Sequence, residues 1–135
     1  MRKIFILSVL GLIILTGCAQ TSETAKVLWG SSTRALEKER NGNAATETFS
    51  CSFGECYEAV LKVAQEEEWA VFINDRAQRH MFIMGIKGSV DTTEVGIFFD
   101  PQSQSDTKID ITSLSSSARQ KVSERLFSQL RKIFP

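Results

Sequence analysis

The chain has one histidine among its 135 residues, and this scarcity limits the acid–base and metal chemistry available near neutral pH. Zinc takes three or four ligands, and His80 with Cys51 and Cys56 is the only set that the sequence offers. No Gly-x-Ser-x-Gly elbow surrounds the serines of residues 113–117, and no glycine-rich phosphate loop is present. We therefore expect no metal site, no cofactor and no enzymatic activity.

Neither sign of charge is in excess, because 16 lysines and arginines balance 16 aspartates and glutamates. A nucleic-acid-binding protein usually carries a strong excess of positive charge on one face. We therefore expect no nucleic acid among the partners of this chain.

Long hydrophobic runs are also missing, since spanning a bilayer takes about 20 apolar residues. The longest run, Ile4 to Ile14, follows the basic Met1-Arg2-Lys3 and precedes Leu15-Thr16-Gly17-Cys18. This layout is typical of a signal peptide, and the final tetrapeptide resembles the lipobox of bacterial lipoproteins. The resemblance implies that residues 1–17 are removed and that Cys18 is acylated.

Acylation of Cys18 predicts a lipid-anchored protein. Each buried methylene adds about 0.8 kcal/mol, so the three acyl chains of such lipoproteins hold a protein firmly on a membrane. Ala19 follows the cysteine, which by resemblance to enterobacterial lipoproteins favours the outer membrane, facing the periplasm. The inner membrane, the cell surface, a retained membrane helix and an ordinary secretory signal cleaved at Gly17-Cys18-Ala19 stay open as alternatives.

The rest of the chain divides into a tether over residues 18–45 and one domain over residues 46–135. The tether contains the flexible Asn41-Gly42-Asn43 and a thin apolar stripe that favours a short helix within Lys26–Arg40. Trp29 is a large indole in this stretch, which suggests docking onto the domain or onto lipid.

The domain pattern predicts an α+β fold. The predicted elements are strand Thr46–Cys51, a helix from Phe53 to about Glu68, strands Trp69–Ile73, Met81–Ile86, Thr92–Phe99 and Thr107–Leu114, and a helix to about Phe134. Ser52 and Glu55 match a capping box, and Ser117 is the predicted N-cap of the last helix. Short connections favour antiparallel strand pairs, and the amphipathic helices need a sheet to cover. We expect two layers with an antiparallel sheet of about five strands.

This element order resembles the helix-grip arrangement, in which a curved antiparallel sheet wraps a C-terminal helix. It is similar to domains of the C-component lipoprotein of the outer-membrane barrel-assembly machine, and to START-like lipid-binding domains. The lipobox, the tether and the layout from Cys51 to Phe134 also resemble small bacterial lipoproteins assigned to families of unknown function. These resemblances transfer no functional residue except Cys18.

Cys51 and Cys56 flank the predicted start of the first helix. With Ser52 at the N-cap they occupy N′ and N4, the two positions that touch in a hydrophobic staple. Two adjacent thiols favour a disulfide in an oxidising periplasm, and two buried free thiols acting as small apolar side chains are the alternative. The CxxC spacing of redox catalysts is absent.

Both faces of the predicted strands carry apolar residues, although a half-buried sheet needs only one apolar face. Strand alternation places Phe72, Met81 and Phe98 on one face and Phe82 on the other. A helix that covers part of each face, or Leu28-Trp29 folded back over one of them, would explain the pattern. An apolar contact surface for a lipid, a peptide or another subunit would explain it equally.

These features predict a non-enzymatic interaction or scaffold module of the cell envelope. Its expected partners are the membrane, through the lipid anchor, and an envelope protein. The alternative is a carrier that binds an apolar, lipid-like ligand in a helix-grip cavity lined by Phe72, Met81 and Phe98.

Overall fold

The computed structural model describes residues 33–135, of which Ala35–Pro135 form one compact unit. This unit begins earlier than the domain start expected at Thr46, because Leu36 and Arg40 pack on the sheet. Cys18 and Leu28-Trp29 lie outside the described residues. Within those residues, no helix combines the length and the apolar character needed to cross a membrane.

The described chain contains five strands and two long helices after a short helical segment at residues 33–39. They are β1 Ala45–Phe49, α1 Phe53–Glu66, β2 Ala70–Asp75, β3 His80–Met84, β4 Val95–Pro101, β5 Thr107–Thr112 and α2 Ser116–Ile133. The strands form one antiparallel sheet in the order β1-β5-β4-β3-β2. The predicted α+β class and element order are confirmed.

The capping box at the start of α1 is confirmed. The backbone N–H of Glu55 donates to the Ser52 hydroxyl over 3.4 Å, and the backbone N–H of Ser52 donates to the Glu55 carboxylate over 2.9 Å. These hydrogen bonds satisfy two N–H groups that a helix end leaves without partners. The bonds from Ser52 also lower the pKa of Glu55.

The N-cap of α2 is Ser115, so the prediction of Ser117 is wrong. The Ser115 hydroxyl accepts the backbone N–H of Ala118 over 3.2 Å. The neighbouring Ser113 hydroxyl accepts the Ser115 N–H over 3.2 Å and donates to the Glu94 carbonyl over 2.7 Å. These bonds hold the chain in the extended conformation that an N-cap requires, two residues before the predicted position.

The main core lies between one face of the sheet and the two helices. Its fully buried side chains include Tyr57, Val60 and Val63 from α1, Met81, Ile83, Ile97, Ile109 and Ile111 from the strands, and Val122, Leu126 and Leu130 from α2. A separate cluster of Leu36, Phe82 and Phe98, with Phe72 and Ile73 packed against it, lies on the other face. The sheet therefore buries apolar side chains on both sides.

Candidate functional site

The face of the sheet away from α1 and α2, which we call the outer face, carries an aromatic cluster. His80 pairs with Phe98 across β3 and β4, and antiparallel partners lie on the same face. The Phe82 and Phe98 rings meet edge to face with centroids 5.6 Å apart, and the His80 ring lies 4.9 Å from Phe82. Edge-to-face packing at these distances is favourable beyond the area that it buries.

The structure brings Phe72 and Phe98 into one cluster but places Met81 elsewhere. Met81 pairs with Ile97 and is fully buried in the helix-facing core, so its predicted place beside Phe98 is wrong. Phe82, predicted to lie on the opposite face from Phe98, takes the place expected for Met81. The prediction placed the residues of β3 on the wrong faces relative to those of β4, because alternation within a strand does not fix its pairing with the next strand.

Gly96 makes room for the ring cluster. It pairs with Phe82, and a Cβ atom at this position would lie 2.8 Å from the Phe98 ring and 3.1 Å from the Phe82 ring. Real Cβ atoms essentially never come within 3.0 Å of another atom, so the Phe98 ring would have to shift. Any larger residue would therefore push the two rings apart.

Residues 35–40, which we call the strap, cover this cluster. Leu36 is 2% exposed and packs on Phe82 and Phe98, and Phe98 is also 2% exposed. The Arg40 guanidinium lies 4.6 Å from the centroid of the Phe98 ring, a cation–π contact. Leu36 therefore covers part of the outer face. The sequence had left open whether this second apolar face is covered by the chain itself or serves as a contact surface.

A salt bridge fastens the end of the strap to β5. Arg40 donates to Asp110 Oδ2 from Nη2 over 3.0 Å and from Nε over 3.3 Å. Thr46 Oγ1 donates to Asp110 Oδ1 over 2.8 Å, so both carboxylate oxygens have partners. The Asp110 side chain is only 7% exposed, and a buried carboxylate needs such partners. The bridge therefore ties the strap to β5, the strand beside the edge strand β1.

His80 lies in the same cluster, and its surroundings keep the ring neutral at neutral pH. Burial lowers the pKa of His80 below its usual 6.5, Asp75 and Glu37 act against this shift, and Arg40 adds to it. The ring also packs on Phe98 with centroids 6.0 Å apart. These contacts give His80 a packing role in the outer cluster.

Cys51 and Cys56 are joined as a disulfide, with their Cα atoms 5.7 Å apart. Both residues are buried, and the Cys51 carbonyl accepts the Thr107 hydroxyl over 3.0 Å. The bond links the chain after β1 to the first turn of α1. Because thiol exchange requires access to a sulfur atom, a buried disulfide of this kind acts as a structural link.

A surface pocket of about 410 Å³ lies beside the strap and is lined by polar residues only. They are Glu37, Arg40, Asn41, Lys108 and Asp110. Its two cations are matched by carboxylates, since Arg40 binds Asp110 and Lys108 Nζ lies 3.3 Å from Asp100 Oδ2. Within residues 33–135, no group of three or more His, Cys, Asp or Glu side chains is placed to hold a metal ion.

The chain matches no protein-family model and no curated protein sequence. The most distinctive feature of the described residues is the strap, which covers the aromatic cluster of the outer face. The strand pattern indicated that this face is apolar. For the strap, the only signal in the sequence was the thin apolar stripe that favours a short helix within Lys26–Arg40.

Proposed function

We propose that the protein is a lipid-anchored lipoprotein of the cell envelope that acts as a non-enzymatic interaction or scaffold module. Its anchor is the acylated Cys18 of the lipobox, and its domain faces the periplasm from the outer membrane. The observation that carries the proposal is the strap, because it binds the last part of the tether to the folded domain.

The strap holds residues 35–40 in one fixed position on the sheet. Arg40 and Asp110 are 70 residues apart in sequence, and Leu36 is buried by rings from two strands. The Asp110 carboxylate is buried, so removing its partner Arg40 is costly and the arrangement resists detachment. A module that presents a surface to another envelope protein benefits from such a fixed attachment, since less conformational entropy is lost on binding.

The packing of the outer face favours this module over the carrier. A helix-grip carrier needs a cavity, and Phe72, Met81 and Phe98 were the side chains expected to line it together. Met81 lies on the opposite face, and Leu36 fills the space above Phe98. An apolar-ligand carrier is therefore the second candidate.

The anchor is tested with Cys18→Ser in cells that process lipoproteins. The wild type should fractionate with membranes and carry the mass of three acyl chains, whereas the variant should be unprocessed or released. Ala19→Asp is the matched control, because it should keep the acyl chains and move the protein to the inner membrane. Normal retention and mature mass in Cys18→Ser would overturn the anchor.

The two functions are separated by photo-crosslinking in native membranes and by analysis of bound lipid. Crosslinkers replace the exposed Lys38 on the strap, Lys62 on α1 and Gln104 in the turn after β4. The same envelope protein captured from one of these surfaces, and not from the others, supports the module. An apolar ligand recovered in equal molar amount from the purified protein, with no protein crosslink, supports the carrier.

A further inference from the structure

The turn that joins the strap to β1 contains an asparagine followed by a glycine. Asn41, Gly42 and Asn43 are all exposed in this turn, and of the three asparagines in the chain only Asn41 precedes a glycine. Asparagine is thermolabile because the backbone nitrogen of the next residue can attack its side-chain amide. Glycine hinders this attack least, since it has no Cβ atom. The turn therefore contains the sequence in which asparagine deamidates most readily.

The Asn41 side chain is free to turn towards the backbone of Gly42. Asn43 Nδ2 donates to Glu39 Oε2 over 2.8 Å, and Asn74 Oδ1 accepts the Tyr57 hydroxyl. Among residues 33–135, the Asn41 amide has no hydrogen-bond partner of this kind. Asn41 also lines the polar surface pocket beside the strap, so water reaches its amide.

The backbone nitrogen of Gly42 is held only loosely. Its N–H donates to the Glu39 carbonyl over 3.3 Å, beyond the usual range of about 2.7 to 3.2 Å. The Asn43 N–H donates to the same carbonyl over the shorter distance of 3.0 Å. Chain segments with few buried contacts open locally at little cost in free energy. Opening the Gly42 bond therefore frees the attacking nitrogen while the Asn43 bond keeps the turn closed.

We propose that Asn41 is a site of spontaneous deamidation and that its conversion to isoaspartate loosens the strap. The Gly42 nitrogen gives up its proton to a base in solution and bonds to Asn41 Cγ, and the bond from Cγ to the amide nitrogen breaks. Ammonia leaves, and a cyclic succinimide remains. Water then adds to one carbonyl carbon of the ring and breaks its bond to the Gly42 nitrogen. Aspartate or isoaspartate results, and neither step needs an oxidant or an enzyme.

Isoaspartate lengthens the main chain between two attached segments. In this product the chain runs through the side-chain methylene of residue 41, which adds one carbon atom to the backbone. On one side, Arg40 is held on the sheet through its side chain, by Asp110 and by the Phe98 ring. On the other side, β1 is held by a ladder of five residue pairs with β5. The longer chain should therefore disturb the contacts of Arg40 first. This inference does not depend on the lipid anchor.

The site is tested by prolonged incubation of the full protein, as purified from cells, in neutral and in mildly alkaline buffer. A glutamate-specific protease cleaves after Glu39 and Glu47 and releases residues 40–47, in which Asn41 and Asn43 are the only asparagines. Tandem mass spectrometry shows which of the two has exchanged its amide group for a carboxyl group. We expect conversion at position 41 and severalfold less at position 43. The rate should be higher in alkaline buffer, because base removes the proton from the attacking nitrogen.

Gly42→Ala is the matched variant. A Cβ atom at position 42 would have no neighbour within 4 Å, and Gly42 is not among the glycines with positive φ, so alanine fits the turn. The variant should melt at or slightly above the temperature of the wild type and should convert Asn41 severalfold more slowly. Equal rates in the two proteins would overturn the attack by the Gly42 nitrogen. Equal conversion at positions 41 and 43 would overturn the assignment to Asn41.

The effect on the strap is tested on the isoaspartyl protein after its separation by ion exchange. It is compared with the unmodified protein and with freshly purified Asn41→Asp, which adds the charge but does not lengthen the main chain. Amide hydrogen exchange in residues 35–40 should be severalfold faster in the isoaspartyl protein than in the other two. Unchanged exchange would overturn the loosening. An equal increase in Asn41→Asp would assign the effect to charge and overturn the explanation from chain length.

Discussion

Leu36→Ala should destabilise the whole domain, although Leu36 lies on the face of the sheet away from both long helices. The leucine is 2% exposed against Phe82 and Phe98, and truncating a buried leucine costs about 2 to 5 kcal/mol. We expect about 2 to 3 kcal/mol here, because a cluster covered by one short segment can partly collapse onto the gap. For a domain of this size, such a loss lowers the melting temperature by roughly 10 to 20 °C.

The measurement is thermal and urea unfolding of the Cys18→Ser protein, followed by circular dichroism. Lys38→Ala is the matched control, since Lys38 lies exposed on the same helical segment and its loss should change the free energy of unfolding by less than about 0.5 kcal/mol. An equally small change for Leu36→Ala would mean that the strap adds nothing to the fold, and it would remove the main support for the proposed function.

Three further predictions concern contacts beside the strap and at the start of α1. A double-mutant cycle of Arg40→Ala and Asp110→Ala should give a coupling energy of about 1 to 3 kcal/mol in the free energy of unfolding, and a value near zero would contradict a working salt bridge. Reduction of the Cys51–Cys56 disulfide should cost about 2 kcal/mol, since the closed loop is short, and the non-reduced protein should weigh two hydrogens less than the reduced one. Burial lowers the pKa of His80 in the folded state below 6.5, the ordinary value that the unfolded chain keeps. The contribution of the neutral ring to the free energy of unfolding should therefore be fully present above pH 6.5 and should be lost as the pH drops towards the folded pKa. His80→Gln should flatten this part of the pH profile of the melting temperature, and an unchanged slope would show that another group is responsible.

Local features of this chain were predictable because their causes lie within a few residues. Ser52 and Glu55 are three residues apart, and the capping box that they form needs no distant partner. The amphipathic patterns of α1 and α2 likewise predicted the two helices, because helical periodicity is a local property. The order of the elements followed from the same signals.

The grouping of Phe72, Met81 and Phe98 failed because strand register is not a local property. Alternation tells which residues of one strand share a face, but it does not tell which face of the next strand they meet. In β2 a shift in pairing between Val71 and Ile73 interrupts the alternation as well. Met81 was therefore assigned to the wrong side even though its strand was recognised.

The strap could not be predicted from residues 35–40 alone. Leu36 is an isolated leucine in a polar segment, and its burial depends on the gap above Phe82 and Phe98, to which Gly96 contributes from another strand. Arg40 looks like any surface cation until Asp110 comes within 3.0 Å of it in the folded sheet. Both contacts are properties of the tertiary structure.

The pairing of β1 with β5 has a consequence for the order in which the domain acquires its structure. Thr46 and its partner Asp110 are 64 residues apart in sequence. When the chain is synthesised or translocated from its N-terminus, β1 therefore becomes available well before β5, the strand with which it pairs. Contacts of such long range are slow to form, because a large loop has to close first. The strap also depends on the formation of β5, since Arg40 binds Asp110 of that strand. A product that stops before β5 would therefore leave β1 and the strap without these partners, in a form exposed to proteases.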